Sequence, residues 1–141
     1  MLKEINLVPG DVICREGEKS DDLYFLKEGQ LLICTVVGTQ VKVLGRIGAG
    51  EFVGELSFFD EKPRAAHVVA TENSLIYKIT TKEVRDSLPF WFKEVGKGLT
   101  KKIRILDSVV QESNIRRTSM DSHKPLTIEE QRKILSNLNK Q

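Results

Sequence analysis

The chain of 141 residues carries little net charge, few cysteines and histidines, and no long hydrophobic run. Its 22 Lys and Arg against 20 Asp and Glu leave a formal charge of +2, too small to argue for nucleic acid or an anionic membrane as partner. The longest apolar run, residues 31–37, is interrupted by Cys34 and Thr35 and is far too short to cross a bilayer. The opening Met-Leu-Lys-Glu-Ile-Asn lacks the apolar core of a signal peptide, so a cytoplasmic location is expected. Cys14 and Cys34 come without a CxxC pair or Cys/His cluster, so no metal site and no metal-dependent enzyme is expected. For a catalytic thiol the available bases are His67 and His123, and nothing ties either one to a cysteine. Both cysteines therefore read as small buried hydrophobes in strands.

What is present is the composition of an ordinary globular domain, 40% hydrophobic and 30% charged, long enough for one modest core. Through the first eighty residues, short stretches rich in Val, Ile, Leu, Phe and Tyr recur between Gly, Pro, Asp and Asn. They fall at about 5–7, 11–15, 23–27, 29–37, 41–46, 52–53, 67–70 and 74–79. Pro9-Gly10-Asp11 and Lys27-Glu28-Gly29 are turn signals, and Val37-Gly38-Thr39-Gln40 reads as a hairpin loop. Eight short strands at this spacing predict a sandwich or jelly roll.

The pattern changes after Ile79. Thr80 and Glu83 are spaced as a capping box, and Ser87-Leu88-Pro89 offers a second cap with a proline suited to a first helical turn. From Phe90 to about Ile115, the residues Phe92, Val95, Leu99, Ile103, Leu106 and Val110 recur at three- and four-residue steps, which predicts a long amphipathic helix. Its stripe packs either on its own barrel or against a second copy of the helix; part of it follows a heptad (Phe92, Val95, Leu99, Leu106, Val109), interrupted at Lys102. The homodimer is the favoured expectation. Gly96 and Gly98 each cost a helix interior about 1 kcal/mol, so a kink, hinge or frayed point is expected there. Residues 116–141 begin as a polar linker, and Thr127 with Glu130 starts a short tail helix carrying Ile128, Ile134, Leu135 and Leu138. That helix suits a lid over a bound ligand, a dimer arm, or a connection to a further domain.

The stretch richest in chemistry is Gly-Glu-Leu-Ser-Phe-Phe-Asp-Glu-Lys-Pro-Arg-Ala-Ala, from Gly54 to Ala66. Arg64 presents a planar fork of donors that fits a phosphate bidentately. Glu55, ionised, only accepts hydrogen bonds, so it suits a sugar hydroxyl and repels a phosphate. Gly54 permits a tight turn and close approach of a ligand to the main chain. The next residues can make one helical turn whose first N–H groups lack partners and point their positive dipole end at an anion. At about 1.5–3 kcal/mol for each charge-assisted bond, Arg64 and two or three amides account for micromolar affinity, about 8 kcal/mol.

Gly54-Glu55-Leu56-Ser57, six residues ending in Pro63, then Arg64-Ala65-Ala66 resembles the phosphate-binding cassette of cyclic nucleotide-binding domains. That family includes protein kinase A regulatory subunits and catabolite activator proteins. The glutamate-to-arginine spacing matches the kinase regulatory type without a gap, and the resemblance extends over about the first 115 residues. It implies an eight-stranded jelly-roll barrel over residues 1–88 with the cassette between strands six and seven, a helix over 89–115, and a linker with tail helix over 116–141. Gly10, Gly17, Gly29 and Gly48 match the family's barrel turns. Residues 1–4 lead almost directly into the first expected strand, so the helix that commonly precedes the barrel in that family is not expected within this sequence. The resemblance assigns the ribose 2′-hydroxyl to Glu55, the cyclic phosphate to Arg64, and amide contacts to Leu56, Ser57 and Ala65. Members preferring cyclic GMP (cGMP) commonly carry threonine after the arginine; Ala65 offers no side-chain donor, which favours cyclic AMP (cAMP). His67 is expected to be a satisfied strand histidine.

A non-catalytic cAMP sensor signalling through its C-terminal helices to a downstream effector is the leading expectation. Alternatives are a catabolite-activator-type regulator and a degenerate non-binding interaction domain. The regulator's DNA-binding part would lie outside this sequence: about 26 residues follow the long helix, without a recognition helix, so no specific DNA binding by these residues is expected. Arg116-Arg117-Thr118-Ser119 resembles a basic kinase recognition sequence but reads as a solvated linker.

Overall fold

A computed structural model describes residues 2–112 and 125–140, without the side chains of Glu83 and of residues 110–112. The basic stretch 116–119 and the Ile115 end of the long helix lie outside the described residues.

Short apolar segments between turn residues fold as eight strands: β1 (Leu2–Leu7), β2 (Val12–Cys14), β3 (Leu23–Glu28), β4 (Gln30–Val37), β5 (Gln40–Gly48), β6 (Phe52–Val53), β7 (His67–Ala70) and β8 (Ser74–Ile79). They pair antiparallel into two four-stranded sheets, ordered β1-β8-β3-β6 and β2-β7-β4-β5. This is jelly-roll order, and it leaves neighbours in sequence on opposite sheets wherever no hairpin joins them. The β4–β5 hairpin closes through Gly38 and Thr39, with Val37 opposite Gln40. The turn before β6 differs in one respect from expectation: Gly48 ends β5, and Gly50, at φ 93°, makes the turn instead.

The core lies between the sheets. Leu7, Tyr24, Leu26, Leu31, Ile47, Val53, Val68 and Ile76 pack there, and Leu26 and Leu31 are wholly buried. Burying one such leucine stabilises the fold by about 1.5–3 kcal/mol.

The described residues also form four helices: α1 (Glu55–Asp60) between β6 and β7, then α2 (Thr81–Ser87), α3 (Phe90–Glu112) and α4 (Ile128–Leu138) after β8. The capping box at Thr127 and Glu130 forms, each side chain bonding the other residue's main chain. The one anticipated at Thr80 does not, since its side chain makes no capping bond. Thr80 is exposed, where water can take the place of the side-chain cap on the first-turn amides. Ser87 does not cap α3 either; its hydroxyl donates back to the Val84 carbonyl at 2.7 Å.

α3 meets α1 mainly on a different face from its apolar stripe. Gly96 and Thr100 are buried, Arg104 and Asp107 half-buried, and all four fall on one line of the helix. At about 100° per residue, the line through Val95, Leu99, Ile103 and Leu106 is displaced from it by roughly a quarter to a third of a turn. Leu99 is 56% exposed and Leu106 62%. Most of the stripe therefore points outward, while Phe92 at its start meets the Phe59 ring of α1, centroids 6.0 Å apart. Gly96 is no kink: α3 runs unbroken from Phe90 to Glu112, and the glycine lies against Phe59 of α1.

The tail helix does not line the cavity wall formed by β2, β4, β5, β6 and β7. α4 packs behind the sheet β2-β7-β4-β5, where Ile134 closes a second buried cluster with Leu32, Cys34, Val41 and Val69. No described helix is both long and apolar enough to cross a membrane.

Candidate functional site

The site is built around the turn at Gly54. β6 ends at Val53, and Gly54 takes φ 89°, a left-handed conformation that only glycine adopts without strain. A Cβ there would stand 2.6 Å from the Asp22 carbonyl, so space as well as conformation demands glycine. The first α1 bond runs from Phe58 N to the Gly54 carbonyl at 3.0 Å. The amides of Glu55, Leu56 and Ser57 precede it and have no intrahelical acceptor. Glu61, left-handed at φ 56°, ends the helix by donating to the Ser57 carbonyl at 3.0 Å.

Arg64 is held from both sides. Its amide donates to the Glu18 carbonyl at 2.9 Å, and Gly17 N donates to the Arg64 carbonyl at 2.9 Å. Its side chain is only 5% exposed. Nη1 donates to the Gly54 carbonyl at 3.2 Å, and Nη2 to the Asp22 carbonyl at 2.7 Å and Ser20 Oγ at 3.1 Å. Among the described residues, buried Nε has no partner. The guanidinium also lies 6.0 Å from the centre of the Tyr24 ring. All three acceptors are neutral. Among the described residues no carboxylate comes within ion-pair distance of Arg64, and the Asp22 carboxylate is engaged by Lys78 at 2.6 Å. A buried cation without a counter-ion is costly unless an anion joins it.

Gly54, Glu55, Leu56, Ser57, Arg64, Ala65 and Ala66 all line one cavity of about 290 Å³. This is at the small end of the range for small-molecule sites, about 300–1,000 Å³. Glu55 stands exposed at its rim. The wall is apolar where Ile33, Ile47 and Val68 contribute. Cys14 completes it, its thiol pushed up to about 11 by burial, with Arg64 pulling the other way. That makes Cys14 a buried thiol rather than a nucleophile. Burial likewise pushes the Tyr24 phenol up to about 12.

His67 follows the cassette but does not line the cavity; its Nδ1 accepts from Glu16 N, two residues past the end of β2, at 3.0 Å. Burial holds its imidazole below the ordinary value; Glu16 raises it and Arg15 lowers it. A second cleft of about 190 Å³ is lined by Phe59, Glu61, Arg85, Asp86, Lys93 and Lys97. It mixes both signs of charge, and Arg85 there is already paired with Asp21 at 2.6 Å and Glu61 at 2.9 Å. Among the described residues no group of three or more His, Cys, Asp and Glu side chains is arranged to hold a metal.

The family model for the cyclic nucleotide-binding domain matches residues 4–88. The chain belongs to this family. Among curated relatives, a cGMP-dependent protein kinase of Eimeria tenella is 39% identical over 71 residues, 50% of this chain and 7% of that protein. The cAMP-dependent protein kinase type II regulatory subunit of Drosophila melanogaster is 32% identical over 62 residues, 44% of this chain and 16% of that protein. This cyclic nucleotide-binding domain thus spans less than a fifth of either relative. Among solved structures, the regulatory domain of Toxoplasma gondii protein kinase A with cAMP superposes at TM-score 0.60 with 27% identity, over 73% of this chain and 39% of that one. The cAMP-bound form of the EAL enzyme Bd1971 superposes at 0.65 with 24% identity, over 79% and 32%, and shows the fold alone.

Sequence reasoning missed what surrounds Arg64 and α1 in this cyclic nucleotide-binding domain. Ser20 and the Asp22 carbonyl orient the guanidinium from the β2–β3 loop, and a main-chain acceptor leaves no signal in sequence. Phe59 and Asp60 join α1 to α3: the Phe59 ring meets Gly96, and Asp60 pairs with Arg104, its Oδ1 3.0 Å from Nη2.

Proposed function

We propose that this domain is a non-catalytic sensor of cyclic mononucleotides that prefers cAMP. One observation carries the reading: Arg64, nine-tenths buried and without a counter-ion among the described residues, lines the same cavity as Glu55 and the first residues of α1. The cyclic phosphate takes the unpaired edge of Arg64 and the amides of Leu56, Ser57 and Ala65, with Gly54 keeping the main chain open to it. Glu55 accepts from the ribose 2′-hydroxyl at the rim. Ala65 and Ala66 offer no side-chain donor or acceptor to a guanine amino group, which supports adenine over guanine. The names of the relatives, which include both cAMP- and cGMP-dependent kinases, support the ligand class.

Occupancy is passed to the helices through α1. It borders the cavity on one side and α3 on the other, through the Phe59–Gly96 contact and the Asp60–Arg104 pair. A ligand that holds α1 in one position biases α3 by its differential affinity for the two arrangements. A downstream effector, or further domains of a longer protein, reads α3. A cytoplasmic location goes with this reading. Titration calorimetry and thermal melting against cAMP, cGMP and cyclic dinucleotides test it. Saturating ligand at a hundred times Kd adds about 2.7 kcal/mol of stability; no heat and no shift with any of them refutes the proposal.

A second reading is favoured by the outward stripe on α3, with Leu99 and Leu106 more than half exposed. There α3 pairs with a second copy, as in a catabolite-activator-type regulator whose DNA-binding part lies outside these residues. This chain by itself does not bind DNA specifically, which a gel shift with duplex DNA at moderate salt checks.

A further inference from the structure

The sheet β2-β7-β4-β5 is apolar on both faces. Inside, Cys14, Ile33, Ile47 and Val68 line the cavity. Outside, Leu32, Cys34, Val41 and Val69 are buried beneath Ile134 of α4. Strand β2 serves both faces because its register shifts: Val12 pairs with Val69 outside, and Cys14 with Val68 inside. The extra residue of a bulge changes which face the following side chain meets. The back wall of the cavity is therefore also the floor under α4.

Polar contacts tie α4 to β2 as well. Asn137 Nδ2 donates to the Gly10 carbonyl at 2.5 Å, just before the strand. Arg15, the residue after Cys14, donates through Nη2 to the carbonyls of Lys140 at 3.2 Å and Asn137 at 3.4 Å. These carbonyls lie at the C-terminal end of α4, where backbone acceptors lack intrahelical donors and a cation is favoured. From the other end of the helix, Gln131 Oε1 accepts from Val41 N of β5 at 3.4 Å.

We propose that α4 is a second readout of the cavity, separate from α3: nucleotide and α4 bind opposite faces of β2 and β7, and each strengthens the other. The proposal rests on the nucleotide-sensor reading above. A ligand that orders the inner face of these strands removes part of the ordering cost of docking α4 outside, and by linkage the factor is the same in both directions. Cys34, at 0% exposure, is the natural reporter, since its thiol meets reagent only when α4 lifts or the sheet opens.

The experiment uses the full chain. N-ethylmaleimide labelling of Cys34, resolved from Cys14 by peptide mass spectrometry, should slow about fivefold or more with saturating cAMP. Any ligand that stabilises the whole domain slows a buried thiol, so affinity decides. Ile134→Ala and the milder Asn137→Ala should weaken cAMP binding by a similar factor. Ile76→Val, a core change in the other sheet, should lower Tm with Kd unchanged. Equal Kd in the parent and both α4 variants overturns the proposal while leaving the sensor reading intact. Absence of cyclic nucleotide binding by the parent chain overturns both.

Discussion

The Phe59 ring and Gly96 are in contact so close that a Cβ on residue 96 would lie 2.1 Å from the Phe59 Cδ1 atom. Through this contact α3 comes to rest on the helix that borders the cavity. Thr100, one turn on, continues the approach by turning its hydroxyl into its own helix, donating to the Gly96 carbonyl at 2.7 Å.

Gly96 and Gly98 should accordingly respond in opposite ways to the same substitution. Gly96→Ala gains about 1 kcal/mol of helix propensity but meets an overpacking cost of about 1–3 kcal/mol, so its Tm falls. Around Gly98 an added Cβ meets nothing within 4 Å. Gly98→Ala should therefore raise Tm by the propensity gain alone. A lower Tm for both would show that backbone flexibility at this point, and not Phe59, decides.

Arg64→Ala removes the buried cation. Each charge-assisted bond to a phosphate is worth about 1.5–3 kcal/mol, so losing two should weaken cAMP more than a hundredfold. The Tm of the ligand-free protein should stay near that of the parent, because an uncompensated buried charge leaves together with three hydrogen bonds to neutral acceptors. Calorimetry and a ligand-free melt separate the two effects.

Glu55→Gln keeps the shape of the side chain but replaces one acceptor oxygen with a donor. It should weaken cAMP less than Arg64→Ala does and should narrow the preference for cAMP over its 2′-deoxy analogue. A site built to bond a hydroxyl discriminates strongly against the analogue lacking it. Equal affinity of the parent for both nucleotides would remove Glu55 from the role assigned to it.

Acid should weaken the fold through His67. Burial lowers its value in the folded protein, so between that value and the unfolded 6.5 the unfolded chain binds more protons, and stability rises with pH. The contribution is complete above 6.5 and is lost as pH falls through the folded value, where a protonated Nδ1 can no longer accept from Glu16 N. Melts from pH 7.5 to 5 should show a decline that His67→Asn, titrating at neither end, reduces.

The outward stripe on α3 predicts that Leu99→Glu with Leu106→Glu lowers the solution mass from dimer to monomer in light scattering. Both side chains are exposed in the single chain, so its Tm at low concentration should not fall. An unchanged mass would assign the stripe to another partner.

All eight strands and both amphipathic helices were legible in the chain itself, because each is written in contiguous residues: short apolar stretches between turn formers, then apolar steps of three and four. The cassette was legible for the same reason, since Gly54, Glu55 and Arg64 lie within eleven positions and their chemistry is intrinsic to their side chains. Closure of the barrel decided the rest. Ser20 and the carbonyls of Gly54 and Asp22 converge on Arg64 only when the β2–β3 loop reaches it, and a carbonyl is the same on every residue. The line of Gly96 and Thr100, not the leucine stripe, faces α1, because close approach there requires small side chains. α4 lies behind the sheet because Leu32, Cys34, Val41 and Val69 form an apolar outer face once β7, β4 and β5 have paired. Local patterns determine which elements form; which face meets which depends on surfaces that exist only once distant segments have paired.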